Sequence, residues 1–304
     1  MIITYLYDTI YFEVFNMDHV LIATAYNNEA RIYVANTKDL VEEARVIHQT
    51  QPTASAALGR LLTVGGMMSP MYKDNSFIAL KVEGDGPIGN MIVESSQTGE
   101  LRAVIKNPDV YITYNDSGKL AVGKAVGNGI LTVRRDPHMK HAFASSVELQ
   151  TGEIGDDFTY YFTLSEQTPS SVGVGVSVNE HITYAGGFII QLLPGASEET
   201  ITTIENILSK LTGVTDLFEQ GLNTYQILEL LSNNTHNLLG SKPLSYHCGC
   251  TKAYYSDSLM KLDNELLDQL IHEDHGAEIV CQYCHTKYNF TEADLRLIQI
   301  KKQD

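Results

Sequence analysis

Hydrophobic residues recur along this chain with two different periods. From Met17 to about Pro194 they fall in short alternating or clustered runs rich in Val, Ile and Thr, the pattern of strands. The runs predict strands over 20–25, 31–35, 77–82, 89–94, 101–105, 120–126, 130–134 and 172–178, and an apolar strand over 188–193. Turn signals separate them, among them Gly84-Asp85-Gly86-Pro87, Thr98-Gly99 and Asn128-Gly129. Helical spacing interrupts twice early. Thr37 can cap a helix over 38–48 with Leu40, Ala44 and Ile47 on one stripe, and Thr53 can cap a small-residue helix carrying Leu58, Leu61 and Leu62. A third helix is expected over 156–165.

After Pro194-Gly195 the helical period takes over. Ser197 with Glu198 and Glu199 opens a helix whose stripe is Ile204, Ile207, Leu208 and Leu211. Gly213, Gly221 and Gly240 punctuate further amphipathic pieces, including one over 225–231, so 196–240 reads as a helical linker that docks on something. Lys242-Pro243 marks the entry to a last domain, 241–304. There Ser258 can cap a helix with Leu259, Leu262, Leu266 and Leu270 on one face, stopped by Gly276. A strand, a knuckle at Cys281-Gln282-Tyr283-Cys284, a second strand and a final helix opened by Thr291 and Asp294 follow. The fold class is therefore α+β: an N-terminal mixed α/β-sheet domain over 17–195, the linker, and a small C-terminal domain. Residues 1–16 are apolar and aromatic but carry Asp8 and Glu13 and lack a basic start, which makes a poor signal peptide; they read as an N-terminal extension.

Charge narrows the partners. With 21 Lys and Arg against 37 Asp and Glu the formal net charge is −16, which argues against nucleic acid and anionic membranes. The last domain shares the sign, so a DNA-binding finger is a poor fit. No stretch of about twenty apolar residues offers a membrane span. The expected location is the cytosol, where thiols stay reduced.

All four cysteines lie in the last domain, as Cys248-Gly249-Cys250 and Cys281-Gln282-Tyr283-Cys284. Two close pairs suit one zinc ion, which takes four ligands at tetrahedral corners about 2.3 Å away. Cys248, Cys250, Cys281 and Cys284 are thus the candidate metal ligands, for one Zn2+ per chain in the reduced state. His247 and His285 flank the pairs and offer substitute ligands; His272 and His275 suit a helix end. A thioredoxin-like use of the C-x-x-C pair would need a helix to start at the motif, whereas Thr286-Lys287-Tyr288-Asn289-Phe290 continues as a strand. Gly173-Val174-Gly175-Val176 lacks the third glycine and the helix of a phosphate-binding loop and reads as a strand. No catalytic constellation stands out, and the expectation is a protein that is not an enzyme.

The cysteine spacing resembles that of the redox-regulated chaperone family called heat-shock protein 33. So do Gly155-Asp156-Asp157-Phe158-Thr159-Tyr160-Tyr161-Phe162-Thr163-Leu164-Ser165-Glu166-Gln167-Thr168-Pro169-Ser170, Val172-Gly173-Val174-Gly175-Val176 and Ala185-Gly186-Gly187-Phe188-Ile189-Ile190-Gln191-Leu192-Leu193-Pro194-Gly195. The likeness runs from Met17 to the C-terminus and leaves out residues 1–16. It implies an ATP-independent holdase that is silent when reduced and zinc-bound. Oxidation would pair Cys248 with Cys250 and Cys281 with Cys284, release the metal, and let the protein bind unfolding client proteins, with a homodimer in the oxidised state. The alternative is a zinc-stabilised protein-interaction module without redox control.

Overall fold

Burial sorts the strands into two kinds. β1 (His19–Ala25) and β2 (Ala30–Asn36) are buried at nearly every position, as strands are when both faces of their sheet are covered. In β3 (Phe77–Gly84), β4 (Asn90–Ser95) and β5 (Glu100–Ile105) every second residue is buried, from Ile78, Leu80 and Val82 to Leu101, Ala103 and Ile105, so that one face meets water. Between these groups come α1 (Lys38–His48) and α2 (Pro52–Met68). The computed structural model describes residues 17–72, 77–114, 118–136 and 143–303. The expected extension over 1–16 lies outside them.

The chain continues through α3 (Val122–Val126), β6 (Gly129–Asp136), β7 (Phe143–Glu148), α4 (Gly155–Leu164), β8 (Ser170–Val178) and β9 (Ile182–Leu192). It then forms α5 (Glu198–Leu208), α6 (Val214–Glu219), α7 (Thr224–Leu231), β10 (Asn237–Pro243) and β11 (Ser245–Tyr246). Among the described residues these strands make a five-stranded sheet, β10-β1-β2-β9-β8, and a six-stranded one, β11-β5-β4-β3-β6-β7. α2 is buried almost throughout and packs its Ala, Leu and Met side chains against residues of both sheets in one core. A helix that is apolar all round needs such a setting. The chain divides into two compact units, one ending at Tyr246 and one beginning at His247.

A second core lies on the other face of the five-stranded sheet. Leu21, Ala23, Ile32, Val34, Phe188 and Ile190 meet Ile204 of α5, Leu217 of α6, and Ile227, Leu228 and Leu231 of α7. The stripe read from the sequence over 196–240 is thus spent on this sheet. The glycines of the β8 and β9 motifs make the seat close: a methyl group at Gly173 would come within 2.9 Å of Val214, and one at Gly186 within 2.5 Å of Phe218. His19 fixes the start of α7, its Nε2 standing 2.8 Å from Thr224 Oγ1.

Several expectations give way to packing. The strand expected over 120–126 is instead α3, ended by Gly127 at φ 76°; Val122, Ala125 and Val126 are buried, and tertiary contacts overrule their strand propensity. β7 and β10 carry too few apolar residues to alternate and were not expected. Lys242 and Pro243, read as the entry to the last domain, belong to β10, and Leu244 and Tyr246 are buried in the first core. Thr37 does not cap α1, because its hydroxyl is 2.7 Å from that of Thr63. The Leu40 N–H donates to Asp18 Oδ2 instead, at 2.5 Å. Thr53 lies inside α2 and its hydroxyl donates to the Ile112 carbonyl.

Asp157 explains why the 155–170 motif has its form. Its carboxylate accepts the backbone N–H groups of Gln150, Thr151, Gly152 and Ile154 and so closes the loop that enters α4, where Ile154 stands at φ 66°.

Asp18 yields a test. Burial pushes its carboxyl up to about 7, against the backbone N–H groups of Leu40 and its neighbours, which pull it down. The native state therefore holds a proton that the unfolded state loses near the ordinary carboxyl value of 3.8, and stability falls as pH rises from about 4 to about 7. Asp18→Asn keeps the capping oxygen and removes this titration. Relative to the parent, the variant should gain about 2–3 kcal/mol between pH 5 and pH 8, at roughly 1.4 kcal/mol per pKa unit. Burial also pushes His19 down, which costs stability as pH falls below the ordinary imidazole value of 6.5, but this contribution is common to both proteins and cancels in the difference. Urea titrations of both proteins across that range check the slope; parallel curves would remove Asp18 as the cause.

Candidate metal centre

The second unit opens with an extended segment bearing Cys248 and Cys250, followed by α8 (Lys252–Leu259), α9 (Asn264–His272), β12 (Gly276–Val280), β13 (Lys287–Thr291) and α10 (Glu292–Gln303). The single helix expected from Ser258 is two. Thr251 caps α8 through the Tyr254 N–H and Asp263 caps α9 through the Leu266 N–H, so the chain breaks where one apolar stripe was read. Leu259, Leu267, Ile271, Phe290, Leu295 and Ile298 form the unit's core, and Leu266 stays 41% exposed.

β12 and β13 pair antiparallel from Gly276 opposite Thr291 to Val280 opposite Lys287, which leaves Cys281–Cys284 as the connecting knuckle. The Cys281 N–H donates to the Thr286 carbonyl at 3.0 Å and the His285 N–H to the Cys281 carbonyl at 2.9 Å. His285 takes the left-handed conformation, φ 56°, that tightens the turn. These bonds hold both sulfurs on one side of the knuckle. The Tyr288 hydroxyl reaches across to the first pair, donating to the Cys250 carbonyl at 2.9 Å and lying 3.2 Å from the Cys250 sulfur.

The four sulfurs lie within 4.8 Å of one another. Cys248 Sγ is 3.6 Å from Cys281 Sγ, and Cys250 Sγ is 3.3 Å from Cys284 Sγ. Bonds of about 2.3 Å to one tetrahedral ion would space sulfurs about 3.8 Å apart. The donor set fits a soft divalent metal. His247 and His285 do not join this group.

The thiols differ in their surroundings. Burial opposes ionisation of Cys281, but the Tyr255 hydroxyl and the backbone N–H groups of Cys284 and Tyr283 stabilise its thiolate more and bring it down to about 6. Burial pushes Cys250 up to about 12 and raises Cys248 as well. Tyr255, Tyr288 and Thr286, whose hydroxyl lies 3.2 Å from Cys284 Sγ, are site residues that the cysteine spacing does not reveal. Their signal is weak: Tyr288 and Thr286 follow the knuckle within a few residues, and Tyr255 has none.

The family model described as Hsp33 protein matches residues 18–291. Over 283 residues the chain is 51% identical to the 33 kDa chaperonin of Acholeplasma laidlawii, covering 91% of this chain and 97% of that one. It is 46% identical over 292 residues to the 33 kDa chaperonin of Geobacillus kaustophilus, covering 94% and 99%. The crystal structure of the 33 kDa chaperonin (heat shock protein 33 homolog) from Thermotoga maritima superposes with a TM-score of 0.89 at 30% identity, over 95% of this chain and all of that one.

Proposed function

The chain belongs to the Hsp33 family, and from that premise we propose that it is an ATP-independent holdase chaperone switched on by oxidation of its four cysteines. The observation that carries the reading is the apolar face under α5–α7. Eight buried residues of the five-stranded sheet, from Leu21 to Ile190, pack among the described residues against short helices that precede the cysteine-bearing unit in sequence. Surface of this kind holds unfolding polypeptides when it is bared.

In the reduced state Cys248, Cys250, Cys281 and Cys284 hold one zinc ion. When bound, the zinc ties the C-x-C segment to the knuckle and keeps four thiolates together. An oxidant of the peroxide class converts each dithiol to a disulfide: two thiols lose two electrons and two protons, the O–O bond breaks, and two waters form. Disulfide sulfurs no longer ligate, so the unit from His247 loses its staple. Tyr246 and β10 lie directly upstream, and α7 just before them, so the loss of order propagates along the chain to the helices that cover the sheet. Clients then bind the bared face, the oxidised protein works as a homodimer, and the setting is the cytosol. Among the described residues no helix is long and apolar enough to cross a membrane.

Light scattering from a thermally unfolding client tests this. Suppression after peroxide under mildly denaturing conditions, and none from the reduced protein, is the expected result. Equal suppression in both states would mean a constitutive zinc-stabilised interaction module instead.

The pairs should react in order, Cys281–Cys284 before Cys248–Cys250. The Tyr255 hydroxyl and the backbone N–H groups of the knuckle favour the thiolate, the nucleophilic form, at Cys281. A C-x-C disulfide also closes a smaller ring, in which the preferred geometry is harder to reach. Peptide mapping of trapped disulfides with hydrogen exchange should show 247–303 opening first and 198–231 later. Early accumulation of Cys248–Cys250, or of a crossed pair, would overturn the order.

A further inference from the structure

The five-stranded sheet ends on a strand that suits it poorly. β1 is buried at six of its seven positions, whereas β10 is fully buried at none. In their antiparallel register Lys242 stands opposite Val20, Ser241 opposite Leu21, Gly240 opposite Ile22 and Leu238 opposite Ala23. The register slips between Ile22 and Ala23, which leaves Leu239 as an extra, bulged residue, 55% exposed. A methyl group at Gly240 would meet nothing within 4 Å. Cross-strand side-chain pairs normally add to a sheet's stability, and here an apolar strand faces Lys, Ser and Gly. β10 is held mainly by its main chain.

Its anchors lie at and just beyond its C-terminal end. Lys242 Nζ donates to the Gln97 carbonyl, and the Leu244 N–H donates to the Asp18 carbonyl at 2.9 Å. The Tyr246 hydroxyl, in the core, lies 3.2 Å from both His48 Nε2 and the Ala103 carbonyl. Cys248 follows after one residue, and α7 precedes β10 by a short turn. β10 thus connects the helices that must leave to the unit that must lose its metal.

We propose that β10 is a displaceable strand, and that the vacated edge of β1 captures an extended, continuously apolar segment of an unfolding protein as a new antiparallel strand. The proposal rests on the holdase reading and specifies how the client is gripped. Once β10 departs, main-chain N–H and C=O groups of β1 between His19 and Thr24 lose their partners at a strand whose side chains are apolar on both faces. An unpaired strand edge is a template for another chain. Any extended polypeptide supplies the missing main-chain partners, which gives tolerance of sequence. A segment with Val, Ile or Leu in the places of Ser241 and Lys242 would pair better with Leu21 and Val20 than β10 does. β10 is a resident stand-in with the right backbone and the wrong side chains.

Hydrogen exchange on the oxidised full chain, with and without reduced, carboxymethylated lactalbumin, tests the proposal. Without client, the β1 amides that pair with β10 and the amides of β10 should exchange at least tenfold faster than in the reduced protein. With client, the β1 amides should slow again by at least tenfold while those of 237–243 stay fast. In a second arm, a Val/Ile/Thr heptapeptide should bind at least tenfold more tightly than the same peptide N-methylated along one edge. Gly240→Val, which fills open space and favours the strand, should slow client capture about fivefold and leave thiol oxidation unchanged. Protection of β10 in the client complex, indifference to N-methylation, or equal capture by Gly240→Val would overturn the proposal. So would recovery of β1 protection that depends on protein concentration and needs no client, because the occupant would then be a second copy. If the oxidised protein fails to suppress aggregation at all, the holdase reading falls and takes this inference with it.

Discussion

Cys281→Ser, or removal of the metal by a chelator, is expected to unfold residues 247–303 as a unit, ahead of any loosening of α5–α7, while the core around α2 stays folded. Among the described residues the second unit has a core of six buried apolar side chains, and the four helices and strands before α10 are all short. A core of this size seldom supplies more than about 3–5 kcal/mol. A tetrathiolate zinc site supplies about 10–16 kcal/mol at neutral pH, more than the whole stability of many domains. The first unit has its own larger core, with α2 between residues of both sheets, and no part of that core needs the metal. Reduced protein should contain one equivalent of zinc, and Cys281→Ser should contain less than a tenth of it. Far-UV circular dichroism and hydrogen exchange should show loss of α8–α10 and of the β12–β13 hairpin, with β2–β9 protected. Ligation needs thiolates, so the metal should be lost as pH falls, and the unit should unfold in acid before the first unit does. A metal-free protein with 247–303 still protected would show that its packing suffices and that oxidation of the cysteines cannot be the trigger.

Leu228→Ala should make the protein suppress client aggregation without any oxidant. Leu228 is fully buried between α7 and the five-stranded sheet, together with Ile227, Leu231, Ile32 and Ile190. Truncating a buried leucine costs about 2–5 kcal/mol, a large part of what a few short helices can gain by docking. The loss falls on α5–α7 and not on the cysteines, so zinc content should stay at one equivalent. The reduced variant should show at least tenfold faster exchange over 198–231 and measurable suppression of light scattering. Fast exchange without suppression would mean that the face under these helices is not where clients bind. Unchanged exchange would mean that the helices are held by something other than this core.

Much of this was legible along the chain. Four cysteines in two close pairs, with no others present, point to a shared cluster before any fold is known, because such clusters depend on residue type and short spacing. The structure brings those four sulfurs together. The amphipathic stripe of 198–208 and the cap at Ser197 also follow from local rules, and Ser197 Oγ accepts the Thr200 N–H as expected. The alternation of β3–β5 is equally local. Where local rules competed with distant partners, the partners won. Asp18 caps α1 from outside the helix's own sequence, and Thr37 turns to Thr63 instead. α3 is helical where its Val and Ala content suggested a strand.

β10 and the tyrosines mark the limit. Nothing in Asn237-Leu238-Leu239-Gly240-Ser241-Lys242-Pro243 announces a strand; it is one because β1, from the other end of the first unit, offers it an edge. Tyr255 and Tyr288 tune the thiols because α8 and β13 fold over the knuckle, and Tyr246 is an anchor because β5 and α1 enclose it. Residue chemistry and short-range period by themselves determined the α+β class, the pairing of cysteines that come together and a helical segment in need of a surface. Only the tertiary structure decided which surface that is, which strand closes the sheet and which hydroxyls face the sulfurs, because those depend on contacts between residues that no local pattern links.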